Sequence, residues 1–122
     1  MFDFERLDTY KLALEFCGDV ENLLHDIPKN EFTLIDQLKR ASISIPLNIA
    51  EGCGRWHDKE KKQFYFIGRG SAFECVPILS ILENKGLVKK EIIIQLRDKL
   101  TRLVQMLTKL AQSTDNKRDR DM

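Results

Sequence analysis

The chain has 122 residues, long enough for one buried core and too short for two. Its 20 Lys and Arg balance 19 Asp and Glu, a formal charge of +1 that excludes a protein coating nucleic acid through overall charge. No run approaches the roughly 20 apolar residues of a membrane span. The acidic opening MFDFERLDTY is unlike a secretory signal, and the three cysteines, Cys17, Cys53 and Cys75, form no CxxC pair. These features predict reduced thiols and a cytoplasmic protein with no membrane partner.

Apolar residues recur at spacings of three and four, the helical signature. In the first segment the stripe is Tyr10, Ala13, Cys17, Val20, Leu24 and Ile27, with Asp8 as N-cap and Pro28 after the last turn. The second stripe is Ile35, Leu38, Ser42, Ile45, Ile49 and Gly52, with Asn30 as its cap. The third is Phe64, Ile67, Ser71, Glu74, Ile78 and Ile81, opened by Asp58 and closed near Gly86. The fourth is Ile93, Leu96, Leu100, Leu103, Leu107 and Leu110. No segment alternates with period two for long enough to read as a strand. The tail STDNKRDRDM is charged and expected to fray, which sets a folded unit at 1–112 and a tail at 113–122. Short connections between four amphipathic helices predict an all-α, antiparallel up-and-down four-helix bundle.

The stretch SISIPLNIAEGCGR, residues 42–55, interrupts the second segment with a proline, two serines and two glycines. Pro46 cannot donate the hydrogen bond that would reach the Ser42 carbonyl, a cost of about 3 kcal/mol inside a helix. The stripe nevertheless continues in register across it, which favours one helix over a loop spanning Ile45–Gly54. The hydroxyls of Ser42 and Ser44 are candidates to satisfy freed carbonyls. The small residues then have a packing reason. Ala41, Ser42, Ala50 and Gly52 would meet Gly68, Gly70 and Ser71 of the third helix at close range.

A second apolar face lies off those stripes. Ile43, Leu47 and Ala50 on the second helix, and Tyr65, Phe66, Ala72, Phe73, Val76 and Leu79 on the third, point away from the predicted core. A helix that is apolar all round should be covered on all sides, which a four-helix monomer cannot do. The simplest cover is another copy, so the sequence predicts a homo-oligomer.

Chemistry is harder to find. Ser71 and Glu74 fall on the predicted core stripe and Asn48 flanks it, so Arg40, Glu51 and Arg69 are candidate partners in a structural hydrogen-bond network. Glu51 with Glu74 would suit an acid–base couple, but neither begins the Glu-x-x-His pattern of bundle metal sites. Cys53 and His57 are four apart, yet no second ligand pair exists. No nucleophile context or phosphate-binding glycine loop is present. The expectation is no catalytic, metal or cofactor site, and no enzyme.

The segment GRWHDKEKK gathers Arg55, Lys59, Lys61 and Lys62 around Trp56, with Arg40 on a neighbouring helix face. Basic side chains interleaved with an aromatic are the ingredients of RNA or single-stranded DNA binding. The plainer reading is a solvated turn that Trp56 and His57 cap.

The run QLKRASISIPLNIAEGCGR followed by FYFIGRGSAFE resembles the bacterial four-helix-bundle family of 23S rRNA intervening-sequence proteins. The residues that carry the likeness are Arg40, Ser44, Pro46, Asn48, Glu51 and Gly52, then Gly70, Ser71 and Glu74. It extends over nearly the whole chain. The resemblance implies a four-helix bundle assembling into homopentamers, in a family mostly without assigned biochemical activity. A related branch, the accessory variability determinant of diversity-generating retroelements, forms a basic pentameric barrel that binds nucleic acid and a reverse transcriptase. The near-neutral charge of this sequence departs from that branch.

Overall fold

The computed structural model describes residues 1–121, with side chains through Asp115. Four helices follow in chain order: α1 (Asp8–His25), α2 (Phe32–Gly54), α3 (Asp58–Asn84) and α4 (Lys90–Asp121). Short 3-10 turns at Asp3–Arg6 and Lys29–Glu31 precede α1 and α2, and the described residues contain no strand. Helix α2 packs on α3, α3 on α4, and α1 against both α2 and α4, giving the expected four-helix bundle.

The core is mostly aliphatic. Phe16, Leu38, Ile45, Ile49, Leu79, Leu82, Leu96, Leu103 and Leu107 are all but sealed from solvent. The stripes expected for α2 and α4 line this core nearly as read, and that of α1 does so apart from half-buried Tyr10 and Cys17. The α3 stripe is displaced by one residue. Its buried positions are Tyr65, Gly68, Ser71, Ala72, Cys75, Ile78, Leu79 and Leu82. Ile67, Glu74 and Ile81, expected inside, are exposed, and Tyr65, Ala72 and Leu79, expected outside, are buried. Tyr65 turns inward because Gly52 of α2 leaves room for its ring; a Cβ there would lie 2.7 Å from Tyr65 Cε1.

Several helix ends differ from expectation. Asp8 begins α1 rather than capping it, and Glu31, not Asn30, stands at the N-cap of α2 without a side-chain cap bond. Gly86 closes α3 with φ of +74°, a left-handed turn that glycine adopts without a Cβ penalty. There the Gly86 amide reaches the Glu83 carbonyl (2.9 Å) and the Leu87 amide that of Leu82 (3.1 Å). The boundary set at 112 is not a helix end. Helix α4 continues through Asp121, and Thr114 is buried with its hydroxyl donating to the Ala111 carbonyl.

Pro46 sits inside an unbroken α2 and is buried. The Ser42 carbonyl it orphans accepts from the Cys17 thiol of α1 at 3.1 Å. The two serine hydroxyls go elsewhere, Ser42 to the Lys39 carbonyl and Ser44 to the α3 seam.

Helix α3 is long and apolar enough, by length and composition alone, to cross a membrane, contrary to the reading of the sequence. Its apolar residues divide between two faces, one buried against α2 and α4 and one turned outward.

Candidate functional site

The seam between α2 and α3 is built from the small residues. A Cβ placed at Gly68 would meet Asn48 Cβ at 3.4 Å and the Ile45 carbonyl at 3.7 Å, so the backbones approach closely here. Across this seam a single chain of hydrogen bonds is fully satisfied. Asn48 Nδ2 donates to Ser44 Oγ (2.9 Å) and to the Ser44 carbonyl (2.7 Å). Ser44 Oγ lies 2.7 Å from Ser71 Oγ, which bonds back to the Ile67 carbonyl at 3.1 Å. Asn48 and Ser71 therefore do share a network, with Ser44 as the link. The other expected members are absent from it: Arg69 donates to Thr108 of α4 at 3.0 Å, and Arg40, Glu51 and Glu74 are exposed.

The antiparallel register that sets Ser44 opposite Ser71 separates the two carboxylates. Glu51 lies seven residues one way from Ser44 and Glu74 three residues the other way past Ser71, about 15 Å apart along the bundle at 1.5 Å per residue. Glu51 is instead ion-paired with Arg55 at 3.1 Å. An acid–base couple needs both groups on one substrate, and this spacing does not supply that. Among the described residues no group of three or more His, Cys, Asp or Glu is placed to hold a metal ion.

Outside the seam α2 and α3 expose several large apolar side chains. Ile43, Leu47, Phe66 and Phe73, expected at an oligomer contact, are exposed, while Ala50 and Val76 are half-buried. Tyr65 leaves that set, because its ring is in the core. Ile67 and Ile81 join it, because the core stripe of α3 lies one residue from the one expected. Gly70 opens onto this surface with nothing within 4 Å of where its Cβ would be. From Phe66 to Ile81, Glu74 is the one exposed charged side chain on α3.

The basic turn is less free than its composition suggests. Arg55 contacts both Glu51 and Glu60 (3.9 Å) and lies 4.6 Å over the Phe64 ring. Lys61 donates to the Cys53 carbonyl at 2.8 Å, closing the C-terminus of α2, and Lys62 pairs with Asp115 of α4 at 2.7 Å. Trp56 is 90% exposed and so caps nothing; Lys59 is exposed beside it. Arg40 is 15 residues back along α2, roughly 22 Å from Arg55, and belongs to a different part of the surface.

The 23S rRNA-intervening sequence protein family matches residues 5–109, most of the chain. The protein belongs to this family. A solved structure described as a protein of unknown function from the S23 ribosomal protein family of Bacteroides thetaiotaomicron has the same fold, with a TM-score of 0.77. It is 21% identical, and the alignment covers 84% of this chain and 97% of that one. No curated protein matches the chain. In this intervening-sequence protein, then, residues that carried the sequence resemblance fall into two groups. Ser44, Pro46, Asn48, Gly52 and Ser71 hold the α2–α3 seam or the helix through it, and Arg40, Glu51, Gly70 and Glu74 lie on the outer surface.

Proposed function

We propose that this intervening-sequence protein is a non-enzymatic, cytoplasmic scaffold or binding module that assembles into a homopentamer. One observation carries the reading. Ile43, Leu47, Phe66, Ile67 and Phe73 are 44–59% exposed on two adjacent helices of a small bundle, an apolar surface that a second copy would cover. The family resemblance supports five as the number of copies. The distance between Glu51 and Glu74 and the full satisfaction of the seam network support a structural role for these polar groups. Multi-angle light scattering tests the assembly: five times the chain mass is expected, and a single-chain mass across the micromolar range overturns it.

A second reading, binding of RNA or single-stranded DNA, rests on Trp56. Its ring stands free for base stacking beside Arg55 and Lys59, and a ring of copies would repeat the contact. Fluorescence anisotropy across a salt series tests it. Micromolar binding that weakens steeply with salt and is lost in Trp56→Ala supports it. An intact oligomer that binds nothing at low salt overturns it.

A further inference from the structure

We propose that the copies pack head to tail, the α2 flank of one against the α3 flank of the next, with Arg40 paired to the partner subunit's Glu74. This rests on the self-association reading and specifies its geometry. The apolar residues do not share one flat face. Ile43 lines the cleft of about 340 Å³ between α1 and α2, together with Val20 and Leu24. Phe73 and Phe66 lie on the opposite flank, toward α4. Arg69 lies 4.9 Å over one side of the Phe73 ring and its Nε bonds Thr108, and Phe66 lies 5.9 Å from Lys62, which pairs with Asp115. A single two-fold partner covers one flank and leaves the other in water. A head-to-tail contact covers both, and closes into a ring when the rotation allows.

The heights match as well. Rotation about an axis along the bundle leaves each residue at its own level, so the partner surface is read from the chain's own register. With Ser44 level with Ser71, α2 and α3 positions correspond to within one residue as follows: Arg40 with Glu74, Ile43 with Phe73, Leu47 with Ile67, and Ala50 with Phe66. At these levels Ile43, Leu47 and Ala50 each meet an apolar side chain, and Arg40 meets the oppositely charged Glu74. Neither Arg40 nor Glu74 has an ion-pair partner in its own chain among the described residues. On the opposite side the exposed apolar side chains Leu14, Ile92 and Ile94 are interspersed with charged residues of α1 and α4 such as Lys11, Glu15 and Asp98.

Mixing two single variants tests the pairing. Ile43→Glu blocks only the α2 flank and Phe73→Glu only the α3 flank, and both positions are exposed, so each variant should keep its helical circular dichroism. Each alone is expected to be monomeric. Mixed, they retain one intact α2 flank and one intact α3 flank, and the expected product is a 1:1 dimer of twice the chain mass. A mixture that stays monomeric, or either variant self-associating alone, overturns the pairing while the unmodified chain remains assembled. An unmodified chain that is itself monomeric overturns the self-association reading too. Leu47→Glu with Phe66→Glu repeats the test should either first variant lose its helical signal.

Discussion

The Cys17 thiol donates to the Ser42 carbonyl at 3.1 Å, taking the acceptor that Pro46 leaves without its amide partner. A proline in the middle of a 23-residue helix is thereby tolerated through a side chain of another helix. Cys17→Ala should cost about 1–3 kcal/mol, the usual penalty for a buried acceptor left unpaired. With Pro46→Ala the backbone amide returns to Ser42, and Cys17→Ala should then cost measurably less. Urea unfolding of the four proteins measures this coupling. Equal costs in both backgrounds would show that the thiol does not serve the proline.

Three α2 and α3 glycines should respond differently to alanine. At Gly52 the added methyl would lie 2.7 Å and 2.9 Å from Tyr65 ring carbons and 3.2 Å from the Lys61 carbonyl. Helix α3 must shift or the ring must leave the core, at a cost of about 1–3 kcal/mol. At Gly70 nothing is within 4 Å, so Gly70→Ala should gain up to about 1 kcal/mol of helix propensity in the single chain. Gly68→Ala meets ordinary contacts and should fall between them. Thermal unfolding of the three variants checks the order.

The helices were legible because the α1 and α4 stripes each mark one dominant apolar face, and because the α2 stripe keeps its register across Pro46. The α3 stripe misled for a physical reason. With Tyr65, Phe66, Ile67, Phe73, Val76, Ile78, Leu79, Ile81 and Leu82, this helix is apolar over most of its circumference, and periodicity cannot choose between two neighbouring stripes. The choice is made by the Gly52 space for Tyr65 and by the bond between Ser44 and Ser71, both contacts across a helix pair. The role of Cys17 was out of reach likewise, since its partner lies 25 residues away. Separation of Arg40 from the basic turn follows from the turn's place beyond the C-terminus of α2 and the fixed rise per residue of the helix that carries Arg40.

The seam network should behave as a unit. Ser71→Ala removes the partner of Ser44 Oγ, and Ser44→Ala removes the acceptor of one Asn48 bond and the partner of Ser71. Each should cost about 1 kcal/mol. Because the two hydroxyls chiefly serve each other, the double variant should cost less than the two single costs together. Strict additivity in urea unfolding would mean that each serine acts through its own helix alone.

Stability should decline on the alkaline side, in steps set by named groups. Burial pushes the Cys17 thiol from 9.0 up to about 11 and the Cys75 thiol from 9.0 up to about 12. Burial likewise pushes the Tyr65 phenol from 10.0 up to about 12. The Lys99 ammonium is also raised, chiefly by its hydrogen bond to Asp19. For all four the folded state holds its proton longer than the unfolded chain. For the two thiols and the phenol this stabilising effect is therefore complete below pH 9.0, where the unfolded thiols are still protonated, and is lost as pH rises toward 11–12. Between those limits each thiol, and the phenol above its unfolded value of 10.0, contributes a slope of up to about 1.4 kcal/mol per pH unit. Unfolding free energies should be insensitive to these groups near pH 8 and fall beyond pH 9. Replacing both Cys17 and Cys75 with alanine should lower the plateau yet flatten the first part of the decline. An unchanged slope in that double variant would mean that ionisation of the two buried thiols does not drive the alkaline unfolding.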